Sequence, residues 1–266
     1  MDEINTPEEQ VQFKPGDIIK NRYTLVQQIG AGSYGTIFEA NYQNENVYKH
    51  IAIKFEKITL NKPMLLNEIS ILKALADNKH FARYFQYGTY ENYKFVAMEL
   101  LGPCLIDLAN RKMPYRFGLH SLLKFGVQAI EAIQALHKAG FVHRDIKPSN
   151  FVIGSTVETS NMIYLIDFGL SKKLNMKDGI VVMPSMNGNF RGTTRYASLN
   201  SHLGKEVGRN DDLMSLIYIF VEFYTGSLPW KNMNDMDEVM HLKELYQGGS
   251  LLAKMPPEFI YVKQLD

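Results

Sequence analysis

Cysteine is almost absent from this chain. Cys104 is the only one among 266 residues, so no disulfide can form within the chain. A structural zinc site has no support either, because the seven histidines show no paired ligand spacing with cysteine. This composition is typical of proteins from a reducing compartment. We therefore expect a cytoplasmic or nuclear location.

The chain also lacks an excess of charge and a long apolar run. Lys and Arg total 29 and Asp and Glu total 28, giving a net charge of +1, which argues against a nucleic-acid partner. The acidic N-terminus does not have the basic-then-apolar order of a signal peptide. The longest apolar stretch, Leu213 to Tyr224, is too short to span a bilayer and contains Glu222. We expect no membrane partner.

The first part of the chain is predicted to be rich in strands. Residues 1–20 are polar and read as an N-terminal tail. β-Branched and aromatic residues predict three strands between Tyr23 and Phe55. The apolar period then changes and predicts a helix over 63–76, before two more strands near Phe85–Tyr90 and Phe95–Leu100.

After Gly102 and Pro103 the pattern becomes mainly helical. Further helices are predicted at 209–225 and around 236–253. We therefore predict an α+β, bilobal architecture, with a small β-rich lobe over about 21–100 and a larger helical lobe over about 101–266. The apolar stripe of one long helix is predicted to comprise Leu119, Leu122, Leu123, Val127, Ile130, Ile133 and Leu136.

A glycine-rich motif lies early in the chain. The segment from Gly30 to Gly35 matches G-x-G-x-x-G, a spacing that also occurs in dinucleotide-binding folds and in plain hairpin turns. In a dinucleotide fold the glycines lead into a helix, whereas here residues 36–40 continue as a strand. The motif thus predicts a hairpin whose backbone N–H groups can approach phosphates. Ile29 and Ile37 flank it and could cover an adenine ring.

A lysine and a glutamate follow at a suggestive spacing. Lys54 ends the apolar run Ile51-Ala52-Ile53, and such a lysine could equally be a surface residue whose ammonium reaches solvent. Glu68 lies among apolar residues of the next predicted helix. A Lys54–Glu68 pair would hold the ammonium against the α- and β-phosphates of a nucleotide.

Two polar motifs in the second half of the chain complete the set of residues that phosphoryl transfer requires. Residues 141–150 contain H-R-D-x-K-P-x-N, in which Asp145 has the position of the base and Asn150 that of a magnesium ligand. Lys147 would neutralise charge on the transferred phosphoryl group. The run Ile163 to Gly169 ends in Asp-Phe-Gly, and Asp167 would bind the Mg²⁺ that bridges the phosphates.

With these motifs the chain resembles a protein kinase of the casein kinase 1 superfamily over roughly residues 20–260. The stretch Gly192 to Asn200 is similar to the G-T-x-R-Y-A-S-x-N run of that superfamily, in place of the usual Ala-Pro-Glu. Segments 15–22, 190–192, 208–213 and 255–259 resemble the tau-tubulin kinase branch. Vaccinia-related kinases are a more distant alternative.

The resemblance implies further site residues. Met98 corresponds to the gatekeeper, Leu100 and Leu101 to the residues facing adenine, and Asp107 to the ribose contact. Asp212 would be the buried helix aspartate that anchors the catalytic loop. The residues expected at ATP are Ile29, Gly30, Ala31, Gly32, Ser33, Tyr34, Gly35, Thr36, Ile37, Ala52, Lys54, Met98, Glu99, Leu100, Leu101 and Asp107.

The sequence departs from the superfamily in two places that matter for function. Few basic residues follow Trp230, which argues against a strict preference for substrates that are already phosphorylated, although Arg195 is retained. The chain stops at Asp266, some tens of residues before its relatives end, so we expect a truncated helical lobe. An alternative function is accordingly a kinase-like scaffold with weak or no activity.

We predict a serine/threonine protein kinase that transfers the γ-phosphate of ATP to protein hydroxyls. Lys147, two residues after Asp145, is typical of kinases that act on serine or threonine. ATP and Mg²⁺ are the expected cofactors, protein substrates the expected partners, and a monomer the expected state. We predict no obligatory phosphorylation of the activation segment, where Thr193 and Thr194 lie.

Overall fold

The structure is a computed structural model. It describes residues 13–32, 35–59, 64–111, 116–174, 176–177, 180–181, 190, 192–247 and 249–259. The chain divides into two compact units, one drawn from Met1–Lys73 and Ala82–Leu100, the other from Ala74–Phe81 and Leu101–Asp266. Among the described residues, no helix has the length and apolar character needed to cross a membrane.

The first unit is built on a six-stranded antiparallel sheet, with the strand order β1-β2-β3-β4-β6-β5. The predicted strands and the predicted helix are all present. The helix, α1, covers Leu65–Ala74, and its last residue already belongs to the other unit. The strands are β1 Ile18–Ile19, β2 Tyr23–Gly32, β3 Gly35–Asn44, β4 Val47–Lys57, β5 Tyr84–Tyr90 and β6 Tyr93–Glu99.

Alternating apolar residues bury one face of this sheet. Phe38, Phe55 and Phe95 are almost entirely removed from solvent, and the Phe55 ring contacts the other two at centroid distances near 6 Å, edge-to-face with Phe38 and tilted with Phe95. The segment predicted as a tail differs from the prediction in its last part. Phe13 packs its ring 4.5 Å from that of Phe55, and Ile19 pairs with Tyr23 in β1, because both apolar side chains gain burial on the sheet.

The second unit is mainly helical, and its described part also contains three small sheets, one of three strands and two of two strands. Its helices are α2 Leu105–Asn110, α3 Leu119–Lys138, α4 Leu199–His202, α5 Arg209–Thr225 and α6 Met236–Leu245. Its strands are β7 Leu101–Cys104, β8 Phe141–Val142, β9 Phe151–Gly154, β10 Ile163–Leu165, β11 Lys172–Lys173, β12 Met176–Lys177 and β13 Ile180–Val181.

The helix predicted around 236–253 is shorter than expected. α6 ends at Leu245, and a separate 3₁₀ turn covers Ser250–Leu252. Gly249, directly before the 3₁₀ turn, has φ +84°, a left-handed conformation that favours glycine and that a continuous helix does not contain. Asp235 caps the start of α6 by accepting the backbone N–H of Asp237 and Glu238.

The long helix α3 is present, but only part of the predicted stripe lies on its buried face. Leu123, Val127 and Ile130 are exposed, whereas Leu122, Ile133 and Leu136 are buried. Small residues explain why the buried face of α3 is rotated away from part of the predicted stripe. Gly126, Ala129 and Ala132 lie on the buried face, where a Cβ on Gly126 would come within 3.1 Å of the Phe220 ring of α5.

The centre of the second unit is the helix α5. Every residue from Ser215 to Phe223 is buried, as expected of a helix that is apolar on all sides. At its start the Asp211 carboxylate accepts the N–H of Gly208 at 2.6 Å. At its end Gly226 has φ +85°, and a Cβ there would lie 2.7 Å from Nε of Arg116. Asp212 lies in the first turn of α5 and is therefore held inside the unit.

Candidate active site

The glycine motif lies in the hairpin of β2 and β3. Gly30 pairs with Ile37 and Gly32 with Gly35, while Ser33 and Tyr34 are outside the described residues. At Gly35, φ is +139° and a Cβ would lie 2.0 Å from the carbonyl oxygen of Phe55, so only glycine fits. The motif thus joins two strands, which contradicts the dinucleotide-binding interpretation. Ile29 at the hairpin is half-exposed.

Lys54 and Glu68 form an ion pair in the first unit. Lys54 lies on β4 and Glu68 on α1, and Nζ is 2.6 Å from Oε2. The two side chains are only 11% and 5% exposed, so the charges lie in a medium of low polarity. The alternative of a surface lysine is therefore wrong for Lys54. Ala52, two residues earlier on the strand, is also buried.

Besides Glu68 on α1, a buried glutamate on β4 contacts the same helix, and the sequence did not predict it. Glu56 is 1% exposed, and its Oε2 accepts the backbone N–H of Met64 at 2.7 Å and of Leu65 at 2.9 Å. A carboxylate at this position satisfies helix donors and interacts favourably with the helix dipole. Lys54 and Glu56 are two residues apart, so both project from the same face of the strand. One strand face thus binds α1 at its start and at Glu68.

The residues expected near adenine and ribose lie at the ends of strands. Met98 on β6 pairs with Ala52, and Glu99 accepts the N–H of Arg83 at 3.1 Å. In the second unit, Leu101 begins β7 and Asp107 lies in the first turn of α2. Cys104 donates to Asp107 Oδ2 at 3.1 Å, and burial raises the pKa of this thiol.

Asp145 is the centre of a compact polar cluster in the second unit. It is 7% exposed, and Lys147 Nζ lies 2.6 Å from its Oδ2. Thr193 donates its hydroxyl to Asp145 Oδ1 at 2.9 Å and accepts from Lys147 at 3.3 Å. The Asn150 side-chain amide donates to the Asp145 carbonyl at 2.8 Å. A carboxylate, a cation and two neutral polar groups therefore meet within hydrogen-bond distance.

Asp212 fixes the backbone that leads into this cluster. Its carboxylate accepts the N–H of His143 at 2.8 Å, the N–H of Arg144 at 2.9 Å and Nε2 of His137 at 2.8 Å. Arg144 has φ +69°, an unfavourable conformation for a residue with a side chain. Charge-assisted hydrogen bonds of this kind offset the strain. This arrangement agrees with the anchoring role inferred for Asp212 from the resemblance.

The Asp-Phe-Gly segment is tied to the same loop. The Ile166 N–H donates to the Asn150 carbonyl at 3.0 Å, and His143 Nε2 contacts the Ile166 carbonyl oxygen at 3.0 Å. Asp167 follows with φ +66°, a second left-handed residue without glycine's freedom. Phe168 is 1% exposed, with its ring 5.7 Å from that of Phe81. Both predicted metal ligands thus belong to segments that hydrogen-bond to each other.

The residues present fit ATP and Mg²⁺. The Asn150 amide nitrogen donates to Asp145, so its oxygen is the atom left for a cation, and Asp167 adds a carboxylate. Amide and carboxylate oxygens are the ligands that Mg²⁺ prefers. Gly35 supplies backbone without a side chain in the hairpin that is predicted to bind phosphates, and Lys54 supplies a cation held by Glu68.

Gly192 and Thr193 bring the activation segment onto the catalytic loop. Gly192 has φ +101°, and a Cβ there would lie 2.8 Å from the Arg144 carbonyl oxygen. Close approach at Gly192 therefore allows Thr193 to reach Asp145. The sequence indicated Thr193 as a hydroxyl of the activation segment, but gave no sign of its contact with Asp145.

The segment after Thr193 is held by contacts with Glu222 of α5 and with Trp230. Arg195 lies 3.5 Å from Glu222 and donates to the Lys231 carbonyl at 3.1 Å, while Trp230 Nε1 donates to the Arg195 carbonyl at 2.8 Å. Tyr196 donates to Glu222 at 2.5 Å. Burial, and then the adjacent Glu222 carboxylate, raise the pKa of Tyr196.

A cleft opens next to Thr193, between the activation segment and the start of α6. Its volume is about 400 Å³. Arg195 supplies a cation to its wall, and that charge is partly offset by Glu222. The other lining residues are Thr193, Thr194, Tyr196, Trp230, Met233, Asn234 and Val239, of which several are apolar.

Comparison with known proteins assigns the family. Residues 23–259 match the protein kinase domain family, and because the match covers most of the chain, the chain belongs to that family. The predicted α+β kinase fold, with a β-sheet unit and a mainly helical unit, is confirmed.

A curated relative agrees with this assignment. The chain is 41% identical over 249 residues to a probable serine/threonine-protein kinase of Dictyostelium discoideum. The alignment covers 94% of this chain and 50% of that protein, so the chain spans about half the length of the relative that it matches.

Proposed function

We propose that this protein is a serine/threonine protein kinase that transfers the γ-phosphate of ATP to hydroxyl groups of protein substrates. The observation that carries the proposal is the polar cluster at the buried Asp145, in which Lys147 and Thr193 bind its carboxylate and Asn150 binds its backbone carbonyl. Membership of the kinase family and the name of the Dictyostelium relative support the same class of reaction.

Candidate residues for ATP and Mg²⁺ are proposed in each unit separately. The hairpin from Gly30 to Gly35 and Lys54, oriented by Glu68, would bind the phosphates, and Asn150 and Asp167 would bind the metal. When bound, Mg²⁺ would neutralise part of the charge on the phosphates. The hinge residues Met98 to Leu101, with Asp107, are proposed for adenine and ribose.

The protein's own groups would position and deprotonate the acceptor. Asp145 would take the proton of the substrate hydroxyl, and its orientation is fixed by Thr193 and by Lys147. The Lys147 ammonium would offset the charge that develops on the transferred group. Phosphoryl transfer requires little covalent help, so positioning and charge neutralisation account for most of the rate enhancement.

The cleft beside Thr193 is proposed to receive the substrate chain next to the acceptor residue. Because its Arg195 already contacts Glu222 and its other walls are largely neutral, we infer that a phosphate on the substrate is not required. Assignment to the casein kinase 1 superfamily and the tau-tubulin kinase branch is part of this proposal. So are a monomeric state and a cytoplasmic or nuclear location.

The test is Mg²⁺-dependent transfer of labelled γ-phosphate to casein, followed by identification of the modified residues. Asp145→Asn should abolish transfer while leaving ATP binding intact, because it removes the base and preserves the shape of the side chain. Asp77→Asn, at an exposed aspartate, is the matched control. No transfer by the folded, ATP-binding wild-type chain would support the kinase-like scaffold instead.

A further inference from the structure

A buried lysine lies directly behind the activation segment. Lys243 is on α6, one turn after the buried Val239, and is 3% exposed. Lysine is seldom found in a core, because burying an ammonium is costly unless its donors are satisfied. Its presence on the inward face of α6 therefore requires an explanation from its contacts.

The ammonium of Lys243 makes three hydrogen bonds, one for each of its protons. Nζ donates to the Thr194 carbonyl at 2.7 Å, to the Ala197 carbonyl at 2.6 Å and lies 3.0 Å from Nε2 of His202. It also lies 5.1 Å from the centre of the Tyr218 ring and 5.2 Å from that of Trp230. Dipoles and aromatic faces therefore stabilise the cation.

These contacts hold the part of the chain that presents Thr193. The two carbonyls lie at either end of Thr194 to Ala197, and Thr193 immediately precedes them with its hydroxyl on Asp145. The aromatic ring of Trp230 faces the ammonium, and its Nε1 binds the Arg195 carbonyl within the same segment. Lys243 of α6 and Trp230 together thus bind three backbone carbonyls, those of Thr194, Arg195 and Ala197, directly after the residue that contacts Asp145.

We propose that Lys243, in its ammonium form, is a positioning residue for phosphoryl transfer: it holds the Thr194 and Ala197 carbonyls and thereby keeps Thr193 on Asp145. The inference rests on the proposed kinase function. Lys243 acts through Thr193 and does not touch the reacting atoms.

The charge state of the site follows from its surroundings. Burial lowers the pKa of Lys243 from 10.5 to about 7. Burial, and then the nearby ammonium, lower the pKa of His202 from 6.5 to about 4, so the imidazole is neutral and accepts the hydrogen bond near neutral pH. The titratable groups facing Lys243 are His202 from α4 and Tyr218 from α5, with the Arg195–Glu222 pair beyond the segment.

Loss of the proton from Lys243 should therefore loosen the segment as pH rises through neutrality. A neutral amine has two N–H donors and no net charge, so it cannot maintain three donated bonds. The turnover number, kcat, should decline across the same pH interval. The KM for ATP should change little, because the proposed ATP-binding residues make no contact with Lys243 in the described part of the chain.

Trp230 provides a direct reporter, since it is the only tryptophan in the sequence. The experiment measures Trp230 fluorescence and kcat from pH 5.5 to 9 for the whole chain, for Lys243→Met and for Lys254→Met, an exposed-lysine control. In wild type and Lys254→Met, fluorescence and kcat should change with one shared midpoint near pH 7. In Lys243→Met the fluorescence change should vanish and kcat should fall by roughly tenfold to a hundredfold, as expected for misplaced catalytic groups.

Several results would overturn the inference. A kcat of Lys243→Met equal to that of wild type would remove the positioning role. A fluorescence change that persists in this variant would belong to another group. Should the variant fail to fold, the wild type still decides, since different midpoints for fluorescence and kcat would separate Lys243 from catalysis. Absence of any transfer by wild type would refute the proposed function, while the fluorescence titration would still report on the Lys243 contact.

Discussion

Glu56 accepts the backbone N–H of Leu65 at 2.9 Å, two residues along β4 from the lysine that pairs with Glu68. The contact ties the first turn of α1 to the strand that carries Lys54. The position of Glu68 therefore depends on two attachments of its helix to one strand face.

Glu56→Ala should destabilise the protein and weaken ATP binding. Removing the carboxylate leaves the N–H groups of Met64 and Leu65 without their acceptor. A hydrogen bond to a charged group contributes about 1.5–3 kcal/mol, and we expect a loss of stability of that size. α1 then loses a constraint, and the KM for ATP should rise. Urea unfolding and steady-state kinetics measure the two effects.

Glu258→Ala is the control, because this glutamate is exposed and should change the free energy of unfolding by less than about 0.5 kcal/mol. Glu56→Gln keeps an acceptor oxygen and should have an intermediate effect. Equal stability of Glu56→Ala and wild type would show that the cap contributes nothing.

Removal of one partner of the Lys54–Glu68 pair should cost more than removal of both. Glu68→Ala takes a carboxylate away from a buried ammonium, which costs about 3–5 kcal/mol in comparable pairs. The double variant Lys54→Met/Glu68→Leu replaces both charges with apolar groups and should regain most of that stability. Phosphate transfer should be lost in the double variant all the same, since the cation for the phosphates is gone.

Urea midpoints and transfer rates separate these effects. A double variant as unstable as Glu68→Ala would mean that the ion pair is not the main contribution of these side chains. A double variant with wild-type transfer would remove Lys54 from the proposed mechanism.

The sequence was informative where chemistry demands particular residues at fixed spacing. The strands of the first unit and the helix with Glu68 were predicted from apolar periodicity, and the helix with Asp212 from its long apolar run. The motif residues around Asp145 were predicted because each has a defined part in handling phosphate. The geometry brings Asp145, Lys147 and Asn150 together, while their catalytic roles stay predictions.

Other features of the structure leave no recognisable pattern in the sequence. The buried face of α3 is set by Gly126, Ala129 and Ala132, which a search for large apolar residues overlooks. Glu56 caps a helix from another element, so its sequence neighbours do not reveal it. Lys243 bonds to backbone carbonyls, which every residue possesses, and the sequence therefore gives no sign of its partners.

Thr193→Ala should lower kcat by roughly tenfold to a hundredfold, corresponding to loss of a hydrogen bond of about 1.5–3 kcal/mol to a charged group. Thr193→Ser retains the hydroxyl and should stay close to wild type. The structure changes how such a result is interpreted. Loss of activity on mutation to alanine would not indicate phosphorylation, because a phosphate on Thr193 would be repelled by Asp145.

Kinetics combined with intact-mass analysis distinguishes a structural role of the Thr193 hydroxyl from a requirement for its phosphorylation. Wild-type protein without any added phosphate should already be active, consistent with our prediction of no obligatory phosphorylation. An inactive Thr193→Ser variant, or activity restricted to phosphorylated molecules, would contradict the structural role of the hydroxyl.

The free energy of unfolding should depend on pH in two separate intervals. Lys243 has a pKa of about 7 in the folded chain against 10.5 as its ordinary value, so between these the unfolded chain binds the additional proton. Stability should therefore increase as pH rises through that interval. His202 has a pKa of about 4 against 6.5, so stability should fall as pH is lowered from 6.5 towards 4.

Urea unfolding at a series of pH values tests this, with one variant for each interval. Lys243→Met should flatten the increase on the alkaline side and should also reduce the fall on the acidic side, because its ammonium helps to lower the pKa of His202. His202→Gln should abolish the fall on the acidic side and keep most of the alkaline increase. Other groups titrate in both intervals, but they are common to all three proteins and disappear in the differences. Parallel curves for wild type and Lys243→Met above pH 7 would mean that the buried lysine keeps its ordinary pKa, and that its hydrogen bonds compensate fully for burial.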